Sequence, residues 1–81
     1  MNLYGYPMDG ECDEPLRLRE VTFSTDAAML RRLAAFFVYA AEQMNRFGEN
    51  FGHEHFEDFN PSAAGQPSIV VTGQEGASQS A

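Results

Sequence analysis

The segment from residue 26 to residue 47 most constrains what this 81-residue chain can fold into. Its apolar residues recur at spacings of three and four, which places them on one face of an α-helix. They are Leu30, Leu33, Phe37, Ala40, Met44 and Phe47. Ser24 or Thr25 can cap the helix, Asp26 suits its positive end, and Gly48 can end it. The sequence therefore predicts one helix about 33 Å long at 1.5 Å per residue.

Three short segments outside the helix have the character of β-strands. The first lies within "MNLYGYPM" and is closed by Pro7, and the second covers residues 16 to 24. The turn dipeptide Asp9-Gly10 between them predicts a hairpin. The apolar phase of the second strand slips near Arg19-Glu20, so we expect a β-bulge there or partial cover on both faces. The third strand is the continuous apolar run 69–71, which is typical of a buried central strand.

The order of these elements is β-β-α-β, which predicts an α+β fold. We expect a two-layer sandwich in which the helix packs on one three-stranded sheet, with the third strand beside one of the first two. A free-standing coiled coil is the weaker interpretation of the helix, because the repeat is short and lacks flanking charge pairs. Residues 1–73 are predicted to form one domain, and residues 74–81 a disordered tail poor in apolar side chains.

The charge balance limits the classes of partner. The net charge is −7, and all five basic residues are arginines. A chain this acidic is not expected to bind nucleic acid by neutralising phosphates, or to sit on an anionic membrane. The same charge suits a basic protein partner.

The sequence predicts a cytoplasmic protein. Cys12 is the single cysteine, so no intrachain disulfide can form, and the N-terminus lacks a signal-peptide pattern. Arg31, Arg32 and Glu42 interrupt the longest apolar segment, so we expect no membrane span. Because small domains often gain stability by oligomerising, we expect a homodimer. Its contacts are predicted at the first strand or at Phe36 and Tyr39 of the helix.

The stretch "FGHEHFEDF", residues 51 to 59, carries the candidate functional residues. His53 and His55 point the same way if the segment is extended, and Glu57 and Asp58 are near enough to help them hold a metal. A structural zinc site needs four ligands, however, and only two strong ones are local. We therefore predict no cofactor and no metal, while a metal-binding or pH-sensing module using His53 and His55 remains the alternative.

The preferred interpretation of this stretch is structural, with a binding surface outside. Phe51, Phe56 and Phe59 are expected to fold back over the helix or the sheet edge, with a helical turn near residues 53 to 59. The polar residues would then face outward and bind a partner. This predicted partner-binding set is His53, Glu54, His55, Glu57 and Asp58. No enzyme is predicted, because there is no Gly-rich phosphate loop and one helix layer leaves little room for a deep cleft.

Between residues 16 and 72 the chain resembles the bacterial immunity protein 32 family. The resemblance is carried by an "EVTF" strand, the helix "LRRLAAFFVYAAEQM", the connection "FGHEHFEDF" and the strand "PSIVV". The specific part is the "HEHF.DF" pattern of the connection, which begins at His53 and ends at Phe59.

The resemblance implies a non-enzymatic protein of a polymorphic toxin system, which neutralises a cognate toxin by covering its active surface. Many such toxins carry basic clefts, which an acidic inhibitor suits. An interaction domain of unknown role is the remaining alternative.

Overall fold

The fold of this chain is α+β, with one long helix and two small antiparallel sheets. The computed structural model describes residues 1–10, 12–61 and 65–74. Strands β1 (Leu3–Gly5) and β2 (Leu16–Leu18) precede helix α1 (Ala27–Phe47) and a 3-10 turn (Gly48–Asn50). Strand β3 (His53–His55), the single-turn helix α2 (Phe56–Phe59) and strand β4 (Val70–Thr72) follow. The predicted tail, apart from Gln74, lies outside the described residues.

Helix α1 begins and ends almost where the sequence predicts. The N-cap is Asp26, not Ser24 or Thr25, because its side-chain oxygen accepts a hydrogen bond from the backbone N–H of Met29 at 2.8 Å. At the other end Gly48 has φ of +53°, a conformation that favours glycine, and its N–H donates to the Met44 carbonyl. Local cap chemistry therefore sets both ends of the helix.

The sheet topology differs from the predicted single three-stranded sheet. β1 and β2 form the expected antiparallel hairpin, with Leu3 opposite Leu18 and Gly5 opposite Leu16. β4 does not join them but pairs antiparallel with β3, within the connection that was expected to carry no strand. The prediction of one three-stranded sheet is wrong because residues 53 to 55, although polar, supply a nearer partner strand for β4.

The second strand is shorter than predicted. It ends at Leu18, before the phase slip, and residues 19 to 26 are neither helix nor strand. Val21 and Phe23, on the opposite parity from Leu16 and Leu18, are about half exposed. The slip in apolar phase therefore marks the end of the strand rather than a bulge within it.

The core lies between α1 and the segment formed by β3, α2 and β4. Leu33, Phe36 and Phe56 are its buried centre, and Met29, Tyr39, Ile69 and Val71 pack around them. The Phe36 and Phe56 rings are 5.4 Å apart in a tilted arrangement, which is favourable for aromatic pairs. Aromatic contacts thus join α1 to α2.

The buried face of α1 is rotated from the predicted stripe. Leu33 and Ala40 are buried and Met44 is half-buried, as expected, but Leu30, Phe37 and Phe47 are exposed. Phe36, predicted to lie in a dimer contact, is 0% exposed, so that prediction is wrong.

Candidate functional site

The candidate site is built on β3 and α2, the segment that the sequence singled out. The sequence predicts a helical turn over residues 53 to 59, whereas the structure has a strand followed by a single helical turn. Phe56 stabilises the junction between β3 and α2. Its N–H donates a hydrogen bond to the Ile69 carbonyl at 2.8 Å, and its side chain packs in the core. Phe59 lies 5.7 Å from Phe36 and 5.1 Å from Tyr39, ring centre to ring centre. The expectation that Phe56 and Phe59 anchor this connection on the helix is confirmed.

The two histidines share one face of β3, as their spacing predicts. Their ring centres are 4.9 Å apart in an edge-to-face arrangement. Because opposite residues of an antiparallel pair share a face, Thr72 lies beside His53 and Val70 beside His55. All four side chains are on the side away from the core, and we call His53, His55, Val70 and Thr72 the outer face.

Glu54 does not lie on the outer face. It pairs with Val71, whose side chain packs against the core, so both point to the helix side of the sheet. Glu54 is half-buried there. The expectation that Glu54 faces outward together with Glu57 and Asp58 is therefore wrong: successive strand residues alternate in direction, and only Glu57 and Asp58 belong to α2.

Glu57 is the most constrained carboxylate of the site. Ser68 Oγ donates a hydrogen bond to Glu57 Oε2 at 2.7 Å, and His55 Nδ1 lies 3.9 Å from the same oxygen. The hydrogen bond from Ser68 is the largest cause that lowers the pKa of Glu57, followed by its own backbone N–H and, more weakly, by His55. The hydrogen bond between Ser68 and Glu57 ties α2 to the residues that enter β4.

Asp58 is exposed at the surface of α2. The outer face together with Glu57 and Asp58 presents two imidazoles, two carboxylates and the half-exposed side chain of Val70. We call this combined surface the His-carboxylate patch. An apolar side chain among polar ones is the usual composition of a protein-binding surface.

The histidines do not gather a set of metal ligands. Within residues 1–10, 12–61 and 65–74, no three His, Cys, Asp or Glu side chains lie together in a way that could hold a metal ion. The Cys12 thiol donates a hydrogen bond to the Glu14 carbonyl at 2.7 Å, within its own loop.

A groove that no sequence pattern predicts lies at the N-terminal end of α1. The groove has a volume of about 260 Å³ and is open to solvent. Its walls come from residues 22–25, from Met29 and Leu33, from Phe56, and from the chain leading into β4. Ligand pockets usually have about 300–1,000 Å³, so this groove is small for one.

The comparisons with known proteins add no relative. No protein-family model, curated protein or solved structure matches the chain. Among the described residues, no helix combines the length and the apolar character needed to cross a membrane.

Proposed function

We propose that this protein is a small acidic binding protein that neutralises a basic protein toxin by covering part of its surface. The observation that carries the proposal is the His-carboxylate patch, in which Ser68 holds the Glu57 carboxylate beside the exposed Asp58 on a chain of net charge −7. Complementary charge steers a basic partner toward such a patch and penalises acidic competitors. The protein acts by occupancy in this proposal, in the cytoplasm and without catalysis.

The anchoring of the patch supports a binding role. Phe56 is buried against α1, and Ser68 holds the Glu57 carboxylate. A side chain that is already positioned loses less conformational entropy when a partner binds. Val70, which is 44% exposed, supplies apolar area next to the charges. The toxin as partner rests on the resemblance to the immunity protein 32 family.

The experiment is a growth assay in bacteria that produce the protein encoded beside this gene, with and without this chain. Wild-type protein is expected to restore growth. The double variant Glu57→Lys with Asp58→Lys is expected to lose protection, because it reverses the charge of the patch. Asp9→Lys with Asp13→Lys is the matched control, since it changes net charge equally at exposed positions of the β1–β2 loop.

Folding must be separated from binding, because Glu57→Lys also removes the hydrogen bond with Ser68. Thermal melts of each variant provide that check, and the single change Asp58→Lys leaves the bond intact. Equal protection by the patch variants and the loop variants would refute the patch as the binding surface. Failure of the wild-type chain to protect would refute toxin neutralisation.

A pH-sensing role is the second candidate, and the edge-to-face His53 and His55 rings favour it. Protonation of both rings places two positive charges 4.9 Å apart, while His55 alone gains Glu57 as a partner. A basic toxin would bind more weakly to the patch when the two rings carry positive charge.

A further inference from the structure

The exposed side of α1 carries an apolar surface that no described element covers. Its members lie four, three and four residues apart, with one neighbour beside them, so they form a single stripe on the helix. They are Leu30, Ala34, Phe37, Ala41 and Val38, which we call the exposed stripe. All five are exposed, Leu30 to 49%, Phe37 to 43% and Val38 to 59%.

This stripe is separate from the buried face of the same helix. The buried face follows Leu33, Phe36 and Ala40 and contacts the core. Phe37 follows Phe36 directly, so the helix turns by about 100° between a fully buried ring and a half-exposed one. The helix is therefore apolar on two adjoining sides, although its own fold covers only one of them.

We propose that the exposed stripe is the contact surface of a homodimer, in which two α1 helices pack antiparallel about a twofold axis. The order of side-chain sizes along the stripe favours a second copy. Leu30, Ala34, Phe37 and Ala41 alternate between large and small. With the axis at the level between residues 35 and 36, Leu30 of one copy faces Ala41 of the other, and Ala34 faces Phe37. Each large side chain then contacts a small one. The stripe is therefore complementary to itself, as a twofold interface requires.

The charges beside the stripe fit the same arrangement. Arg31 and Glu42 are both exposed and flank Val38 on the polar side of the helix. They are eleven residues apart, or about 16 Å along the helix, which is too far for a direct ion pair within one chain. In the antiparallel dimer, Arg31 of one copy lies at the level of residue 40 of the other. It is then about 3 Å along the axis from Glu42 of the second copy, within reach of a long side chain.

The thin core gives a reason for the association. Leu33, Phe36, Ala40 and Phe56 are the buried apolar residues that the structure describes. Chains of this size commonly add stability by oligomerising. The stripe spans about 16 Å of helix, which is short for a standard interface, so we expect a weak dimer that forms at high protein concentration.

The test is sedimentation equilibrium of the full chain over a range of concentrations up to millimolar. Wild-type protein is expected to shift reversibly from monomer to dimer. Leu30→Glu is expected to raise the dissociation constant at least about tenfold, since it brings two carboxylates into an apolar contact. Leu16→Glu is the matched control, because Leu16 is 51% exposed on β2 and is not part of the stripe, so the change should leave the constant unchanged.

A charge exchange tests the register and does not depend on a core residue. Arg31→Glu alone and Glu42→Arg alone each replace two symmetry-related attractions by repulsions, so each should weaken the dimer by about threefold to tenfold. The double variant Arg31→Glu with Glu42→Arg should restore most of the wild-type constant. A wild-type chain that stays monomeric at every concentration would overturn the proposal. So would equal effects of Leu30→Glu and Leu16→Glu, or a double variant as weak as the two single changes together.

Discussion

At the scale of single residues, neighbouring phenylalanines of α1 have opposite surroundings. Phe36 is fully buried between Phe56 and Phe59, whereas Phe37 faces out. We expect Phe36→Ala to lower the free energy of unfolding by about 3–5 kcal/mol. Phe37→Ala should lower it by less than about 1 kcal/mol at concentrations where the chain is monomeric. Urea unfolding measures both, and equal losses would contradict the observed orientation of the helix.

Also at this scale, the bond between Ser68 and Glu57 makes part of the stability depend on pH. The pKa of Glu57 is lowered in the folded protein, so its contribution is present above the unfolded pKa of about 4.3 and is lost as pH falls through the lower folded value. We expect Ser68→Ala to lower the melting temperature at neutral pH. The difference from wild type should shrink as the solution is acidified through that window. A difference that grows on acidification would contradict the assignment.

At the scale of elements, substitutions at Asp26 test how much the N-cap hydrogen bond stabilises α1. Asp26→Ala removes the acceptor for the Met29 N–H and should cost about 1 kcal/mol of stability. Asp26→Asn keeps a capping oxygen and should cost much less. Urea unfolding followed by circular dichroism at the helix band measures both variants. Equal losses would show that the side-chain hydrogen bond is not what stabilises this end of the helix.

The elements also show what the sequence can predict and what it cannot. α1 was predicted to within one residue, because Asp26 and Gly48 act locally. Its orientation was not, since the stripe containing Leu30 and the face containing Phe36 have equally regular spacing. Only the distant Phe56 and Phe59 select between them. β3 was not predicted, again because it depends on residues distant in the sequence. Its strand character comes from pairing with β4 across the long connection, not from its own polar residues.

The candidate site was predicted in part. The shared direction of His53 and His55 follows from their spacing in a strand, and the packing of Phe56 and Phe59 follows from theirs. The position of Glu54 on the helix side required the β3–β4 register, which local sequence does not specify. The hydrogen bond between Ser68 and Glu57 joins residues eleven apart, and no sequence motif predicts it.

At the scale of the whole molecule, the response to zinc distinguishes a metal-ligand role of His53 and His55 from a partner-binding role. We expect no rise in the melting temperature on adding zinc after chelator treatment, because the described residues gather no third ligand. His53→Ala provides the baseline for nonspecific effects. A rise of several degrees that His53→Ala abolishes would instead assign the histidines a ligand role.

We propose separate roles for two surfaces of the molecule. In our proposals, the His-carboxylate patch meets a basic toxin, while the exposed stripe of α1 meets a second copy. Because the variants that test one surface leave the other unchanged, either proposal can fail without the other.

The most direct test of the central proposal is the affinity of the purified chain for the protein encoded beside its gene, measured by calorimetry at low and high salt. We expect tight binding that weakens with salt. We also expect at least about a tenfold loss of affinity, or 1.4 kcal/mol, for Asp58→Lys, with little change for Asp13→Lys. Binding that is indifferent to salt, or equally affected by both changes, would contradict the proposal.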